Sequence, residues 1–287
     1  MHSSRNKVYA VLAILLFTAA LATSCGGQAS QSSNTTPPPS SPTYQLVWSD
    51  EFNGADGSAP DATKWQILTG GNGWGNNELE YYTTRAQNVQ VKGGNLVITA
   101  LKEDYTGSDG VTQHYTSARM QTKGLFSQQG GRFEASIKIP KGQGLWPAFW
   151  MLGSDIDTNP WPACGEIDIM ENIGKEPAIN HGSLHGPGYA PGNVTAAYTA
   201  SSGALGDGFH LYAVEWDTSQ VRFYVDSNLY ATFTPSSLPS GSPWEFNKPF
   251  FLLLNVAVGG DWPGAPDATT QFPQQMLVDY VRVYQKQ

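Results

Sequence analysis

The sequence predicts an all-β chain folded as a sandwich of two sheets. Three observations carry this. Strand-length apolar runs recur along the chain, and in several of them apolar and polar residues alternate with period two. The 31 Gly, 19 Pro, 9 Trp and 13 Tyr supply many turns and bulky strand formers, a composition that suits short strands better than long helices. No segment shows a long, capped 3.6-residue period, and no internal repeat is visible. Many strands without helices must close or stack, so a single β-sandwich of about 240 residues is expected.

The N-terminus reads as an export signal. Arg5 and Lys7 form a positive flank, and "VYAVLAILLFTAALA" (residues 8–22) forms an apolar core. That core is short for a membrane span, which needs roughly 20 apolar residues. The following "TSCGGQASQSSNTTPPPSSPT" is polar and Ser/Pro-rich, the composition of a tether. "LATSC" resembles a bacterial lipobox in which Cys25 becomes the acylated N-terminus, although Leu21 stands four residues before the cysteine instead of three. Ordinary cleavage after Ala22 is the alternative. The long tether directly after Cys25 favours lipidation. The expected organisation is therefore a lipoprotein-type signal over 1–24, a tether over 25–43 and one domain over 44–287. It implies export, with attachment to the bacterial envelope through Cys25 alone. Cys164 is the only other cysteine, so no structural disulfide is expected.

From Tyr44 onward the texture is uniform. "NLVITALK" (95–102), "RFEASIKI" (132–139), "HLYAVEWD" (210–217) and "MLVDYVRVY" (276–284) read as strands. In "RFEASIKI", Phe133, Ala135, Ile137 and Ile139 alternate with Arg132, Glu134, Ser136 and Lys138, as in a half-buried strand. "VRFYVDSNLYATF" reads as a hairpin turning at Asp226, Ser227 and Asn228. "FFLLLNVAV" (250–258) is apolar enough to be buried on both faces. No Pro/Ser-rich break follows Thr43, which favours one domain. The net charge of −8, with 16 Lys and Arg that form no run, speaks against a nucleic-acid partner. A monomer acting on a neutral partner is expected.

The chemistry concentrates in "GEIDIMENIG" (165–174), where Glu166, Asp168 and Glu171 lie within six residues. As a strand, Glu166 and Asp168 share one face, with Ile167 and Ile169 on the other. The next position on the carboxylate face is Met170, so a one-residue bulge is needed to bring Glu171 onto it. Three carboxylates on one face cannot all ionise freely, and part of the cluster should hold a proton above the usual carboxyl pKa of roughly 4. One ionised and one protonated carboxyl, roughly 5–6 Å apart, is the requirement of retaining glycoside hydrolysis. A cation site is the competing reading, because hard ions take oxygen ligands.

Sugar rings present apolar C–H faces to aromatic side chains and hydroxyls to polar ones. "GLWPAFWML" (144–152) offers Trp146 and Trp150, with Phe149 assigned to the core. "GGNGWGNNELEYYT" (70–83) offers Trp74, Asn76, Asn77, Glu78 and Tyr81. "HGSLHG" (181–186) offers His185 on a neighbouring strand.

"GEIDIMENIG" resembles the E-x-D-x-x-E catalytic segment of glycoside hydrolase family 16, in its laminarinase (endo-β-1,3-glucanase) branch. "GRFEASIKIPKGQGLWPAFWMLG", "HGSLHGPGY", "FHLYAVEWD" and "FFLLLNVAVGGDWPGAPDATTQFPQQMLVDYVRVYQ" extend the likeness over essentially Leu46 to Gln287. The resemblance implies a concanavalin-like β-jelly-roll sandwich of two curved antiparallel sheets. It implies Glu166 as nucleophile, Asp168 as its assisting partner and Glu171 as general acid/base. The expected reaction is endo-acting double displacement on β-1,3-glucan, with no catalytic cofactor. The two-then-three spacing resembles laminarinases, whereas mixed-linkage lichenases carry E-x-D-x-E. Action on mixed-linkage glucan, another family 16 activity, and a non-catalytic glucan-binding role are the alternatives, the last opposed by the intact carboxylates. The resemblance also implies a structural calcium ion held by Glu51, the backbone oxygen of Gly94 and Asp279.

Overall fold

The protein's structure, a computed structural model, describes residues 43–190, 192 and 194–287. The expected export signal, Cys25 and all of the tether except Thr43 lie outside the described residues.

In chain order the first strands are β1 (Tyr44–Asp50), β2 (Gln66–Leu68), β3 (Glu80–Tyr82), β4 (Val89–Lys92), β5 (Asn95–Thr106) and β6 (Thr112–Ser117). They are followed by β7 (Arg119–Gln121), β8 (Gly131–Lys138), β9 (Leu145–Gly153), β10 (Glu166–Glu171), β11 (Ile179–His185) and β12 (Val194–Thr199). The last are β13 (His210–Asp217), β14 (Gln220–Val225), β15 (Asn228–Phe233), β16 (Phe250–Val258) and β17 (Gln274–Lys286). One sheet runs β15-β14-β13-β8-β17-β5-β6-β3, with β1 also on β17 and β4 also on β5. The other runs β12-β11-β10-β9-β16-β7-β2. Pairing is antiparallel apart from β3 against β6, so the expected two-sheet, all-β architecture is the one observed.

The core lies between the two sheets. Phe133, Ala135 and Ile137 of β8 are fully buried, and Ile139 nearly so, as their alternation predicts. Glu134 departs from that pattern and is buried too. It is held by Arg132 at 2.7 Å and by the Tyr284 hydroxyl at 3.1 Å, which offsets the penalty on a buried charge. All nine residues of β16 are buried. Phe250, Leu252, Leu254, Val256 and Val258 enter the main core, while Phe251 and Leu253 pack with Leu152 and Cys164 on the opposite face. The β14–β15 hairpin turns on Asp226 and Ser227, with Asp226 at φ +55° and Asn228 already paired with Val225.

Register gathers three separated residues on β17. Asp50 of β1 lies opposite Val281, and Leu96 of β5 lies opposite Val278. Glu51 and Gly94, at the adjoining ends of β1 and β5, therefore flank the stretch that carries Asp279.

Candidate active site

β10 is bulged where its carboxylate spacing requires. Against β11, Asp168 faces Ser183 and Glu171 faces His181, three steps on one strand against two on the other. Against β9, Asp168 faces Trp150 and Met170 faces Phe149, which leaves Ile169 as the inserted residue. Glu166, Asp168 and Glu171 consequently line one cleft of about 370 Å³. Ile167, Ile169 and Met170 are fully buried on the core side.

β9 supplies the neighbouring floor by its period-two pattern: Trp146, Ala148, Trp150 and Leu152 all line the cleft. Phe149, on the opposite face, is fully buried. The Trp146 indole N–H donates to Glu171 Oε1 at 2.9 Å, and that of Trp150 donates to Asn255 Oδ1 at 2.8 Å. The loop before β3 closes one side. Trp74 sits at φ +47°, a strained setting for an aromatic residue, with its indole N–H anchored on Gly70 O at 3.1 Å. Asn76 Nδ2 donates to Glu78 Oε1 at 3.2 Å, and the Tyr82 hydroxyl donates to Glu78 Oε2 at 2.9 Å.

The expected site residues His185, Tyr81, Glu51 and Asp279 lie off the cleft lining. His185 sits beside the carboxylates, its Nε2 2.8 Å from Asp168 Oδ2 and 4.0 Å from Glu166 Oε1. Its place is that of a partner to the carboxylates, not a residue on the cleft lining. Tyr81 is not at the cleft. Alternation along β3 turns Glu80 and Tyr82 one way and Tyr81 the other, where its ring packs on Tyr105 at 5.0 Å beneath the β5–β6 turn. Glu51 presents both carboxylate oxygens to the Arg282 guanidinium, at 3.0 and 2.8 Å, while Asp279 is exposed.

Three polar or aromatic cleft residues, Asn255, Trp161 and Arg119, are not singled out by the sequence. Asn255 interrupts the apolar run of β16, and a lone amide in such a run is a usable signal. Trp161 is 47% exposed at the cleft, five residues ahead of Glu166, where the carboxylate strand begins. Arg119 lies 4.7 Å from the Trp74 ring and 4.8 Å from the Trp150 ring, a cation between two indoles. Glu78, a candidate from the same Gly-rich loop as Asn76, also lines the cleft. Nothing in the local pattern marks Arg119.

Burial and mutual repulsion set the electrostatics. Desolvation, then the charge of Asp168, pushes Glu166 up to about 8, with His185 acting in the opposite sense. Desolvation, then the charge of Glu166, pushes Glu171 up to about 7, opposed by His185 and by the Trp146 N–H. Asp168 is raised by desolvation and by Glu171. Protons in such a cluster belong to the group, so at neutral pH at least one is retained. Because Oε1 of Glu171 accepts from Trp146, the proton on that carboxyl falls to Oε2. Glu166, Asp168 and His185 each bring one ligand-capable atom within 4.8 Å of the others, a spacing a cation could also use. Glu171 lies outside that trio and accepts instead from the Trp146 indole on the cleft wall.

Two carboxyls that share a proton beside an aromatic-walled cleft meet the requirement of glycosidic cleavage, and fold and site together define a glycoside hydrolase. The family model of glycosyl hydrolases family 16 matches residues 76–282, and the chain belongs to that family. The beta-glucanase of Rhodothermus marinus is 42% identical over 261 residues, covering 85% of this chain and 86% of that protein. The crystal structure of the laminarinase catalytic domain of Thermotoga maritima MSB8 is similar at TM-score 0.80 and 47% identity, covering 85% of this chain and 99% of that one. The glucan endo-1,3-beta-glucosidase A1 of Niallia circulans is 36% identical over 84% of this chain, which spans only 38% of that longer protein.

Proposed function

We propose that this protein cleaves internal β-1,3-glucosidic bonds of laminarin-type glucan with retention of configuration. The observation that carries the reading is the bulge at Ile169, which puts Glu166, Asp168 and Glu171 on one cleft-lining face. Glu166 attacks the anomeric carbon while Glu171 gives its proton to the leaving oxygen. Water then attacks the anomeric carbon as Glu171 removes its proton, and the bond between sugar and Glu166 breaks, freeing the Glu166 carboxylate. Asp168 and His185 stand beside Glu166: the charge of Asp168 helps the cluster hold its shared proton, and His185 favours the ionised form of Glu166. The cleft walls of Trp74, Trp146, Trp150 and Trp161 offer faces to the pyranose rings, while Asn76, Glu78 and Arg119 offer partners to hydroxyls. Such two-carboxylate chemistry calls for no cofactor. The test is release of reducing ends and anomeric configuration on laminarin, lichenan and agarose by the wild type and Glu166→Gln. Activity confined to agarose, or undiminished in Glu166→Gln, contradicts the assignment.

The calcium expected at Glu51, Gly94 and Asp279 is supported by oxygen-only donors brought to one stretch of β17. The Arg282 fork on Glu51 is its competitor, so an ion there has to displace or share that guanidinium. Its role is to clamp β1, β5 and β17, away from the chemistry. Export and lipidation at Cys25 rest on the apolar segment and tether of the sequence. Release of the protein from membranes by Cys25→Ser is the expected result, and unchanged partitioning counts against the anchor.

A further inference from the structure

The bulge that aims the carboxylates is backed by a second bulge from the other sheet. Gly182 of β11 is the single residue opposite Ile169 and Met170. A Cβ at Gly182 would lie 2.3 Å from the Tyr230 hydroxyl and 2.8 Å from Cδ1 of Phe223. The space behind the bulge is thus filled by a phenol that reaches across the sandwich. Tyr230 does so through an irregularity of its own. Phe223 and Tyr224 are adjacent on β14, yet their partners Ala231 and Leu229 are two apart on β15, with Tyr230 as the inserted residue.

Asn180 joins the two bulges. It alternates with Gly182 and Leu184 towards the core, and it is fully buried. Its Nδ2 lies 3.1 Å from the Tyr230 hydroxyl and 3.4 Å from the carbonyl oxygen of Ile169, the inserted residue of β10. A carbonyl can only accept, so this contact fixes which end of the amide is the donor. A buried amide in an apolar interior calls for a reason, since leaving such a group poorly satisfied is unfavourable. Packing alone would be served by leucine. Burial pushes the Tyr230 phenol up, and the charges of Asp168 and Glu171 push it the same way, as befits a ring directly behind them.

We propose that Asn180, seated by Tyr230, is a positioning residue for the hydrolytic carboxylates: its amide holds the bulge carbonyl of Ile169 and so sets the spacing of Glu171 from Glu166 and Asp168. The proposal rests on the hydrolytic reading of the site. The amide touches neither substrate nor reacting atoms; it acts through the backbone of β10. Carboxyls held at fixed spacing share their proton in a fixed way, and a slackened bulge alters both the attack geometry and the shared titration.

The variants Asn180→Leu, which keeps the branched shape and loses the donor, and Tyr230→Phe, which loses only the hydroxyl, test this. The readouts are kcat and KM on laminarin across pH, carbon-13 NMR titration of the glutamate carboxyls, and the melting curve. In Asn180→Leu, kcat should fall about tenfold with KM within about twofold, as for a small displacement of reacting groups. The carboxyl titrations should move, Tyr230→Phe should act in the same direction, and the double variant should be no worse than Asn180→Leu, because the two act as one unit. Folded variants with wild-type kcat and unchanged carboxyl titrations, but a lower melting temperature, overturn the proposal and leave a packing role. If Asn180→Leu fails to fold, Tyr230→Phe decides by the same readouts. A wild type inactive on every glucan removes the hydrolytic reading instead, and the NMR titration still decides whether the clamp sets the carboxyl pair.

Discussion

The Trp146 indole N–H donates to Glu171 Oε1 at 2.9 Å, which ties the orientation of the proposed acid to a residue that also forms the cleft wall. A donor to a carboxylate favours its ionised form, so Trp146 holds Glu171 lower than burial alone would leave it. Trp146→Phe keeps an aromatic wall and removes the donor. The Glu171 carboxyl should then titrate above about 7, and the alkaline limb of the kcat profile should move to higher pH. A lost hydrogen bond to a charged group is worth about 1.5–3 kcal/mol, so kcat at neutral pH should fall by roughly tenfold or more. A lowered kcat with an unmoved alkaline limb would show that Trp146 serves the wall alone.

The carboxyl cluster also makes stability depend on pH in a defined direction. Glu166 is raised from 4.5 to about 8 and Glu171 from 4.5 to about 7. Between the unfolded and folded values the native state binds more protons than the unfolded one, so stability falls as pH rises through that window. For Glu166 the window runs from 4.5 to about 8. Glu166→Gln has no proton to lose there. It should melt like the wild type at pH 4 and above it at pH 8. Each pH unit of displaced proton affinity is worth about 1.4 kcal/mol, and 1 kcal/mol moves the melting temperature of a domain this size by roughly 2–4 °C. Calorimetry at the two pH values checks the sign; an equal offset at both would disconnect the gain from titration.

The strands were legible because alternation with a buried face has a period that sequence shows directly. Phe133, Ala135 and Ile137 are its clearest cases. The bulge was legible for a related reason: carboxylates two and then three apart cannot share a face without an inserted residue. Tyr81 was misassigned because "EYY" offers two adjacent aromatics, and which one turns to the cleft depends on the strands β3 joins. Arg119 was invisible because its two indole partners, Trp74 and Trp150, come from different segments. Asn180 sits in "INHGSLH", where nothing announces that the residue behind the active strand must be an amide. Its role comes from a bulge on β15, far along the chain.

Calcium at the β1–β5–β17 junction predicts a metal-dependent melting curve. Calcium should raise the melting temperature of chelator-treated protein, and Asp279→Asn should blunt that rise without affecting laminarin hydrolysis. Arg282→Gln, which frees Glu51, should increase the response, since the guanidinium and the ion compete for the same oxygens. A melting curve indifferent to both chelator and calcium removes the ion and leaves the Glu51–Arg282 pair as the link between β17 and the segment following β1.

Glu80 is a further buried carboxyl near the cleft, fully enclosed and beside Glu78, which is itself 5% exposed. Burial, then the charge of Glu78, pushes Glu80 well above the usual carboxylate range, which favours its protonated form. One oxygen accepts from the Val258 N–H at 2.6 Å. From Glu78 the chain continues through the Tyr82 hydroxyl and Asn255 to the Trp150 indole on the cleft wall. Glutamine imitates the neutral acid, keeping an acceptor for Val258 and a donor for Glu78, whereas alanine keeps neither. Glu80→Gln should therefore match the wild type at pH 5 and melt above it at pH 8, because only the wild type loses stability as pH climbs towards the raised value. Glu80→Ala should lose roughly 1–3 kcal/mol at both pH values through its unsatisfied neighbours alone. Its KM for laminarin should rise as the chain ending on Trp150 slackens. Equal damage from glutamine and alanine at pH 5 would mean that Glu80 works as an anion.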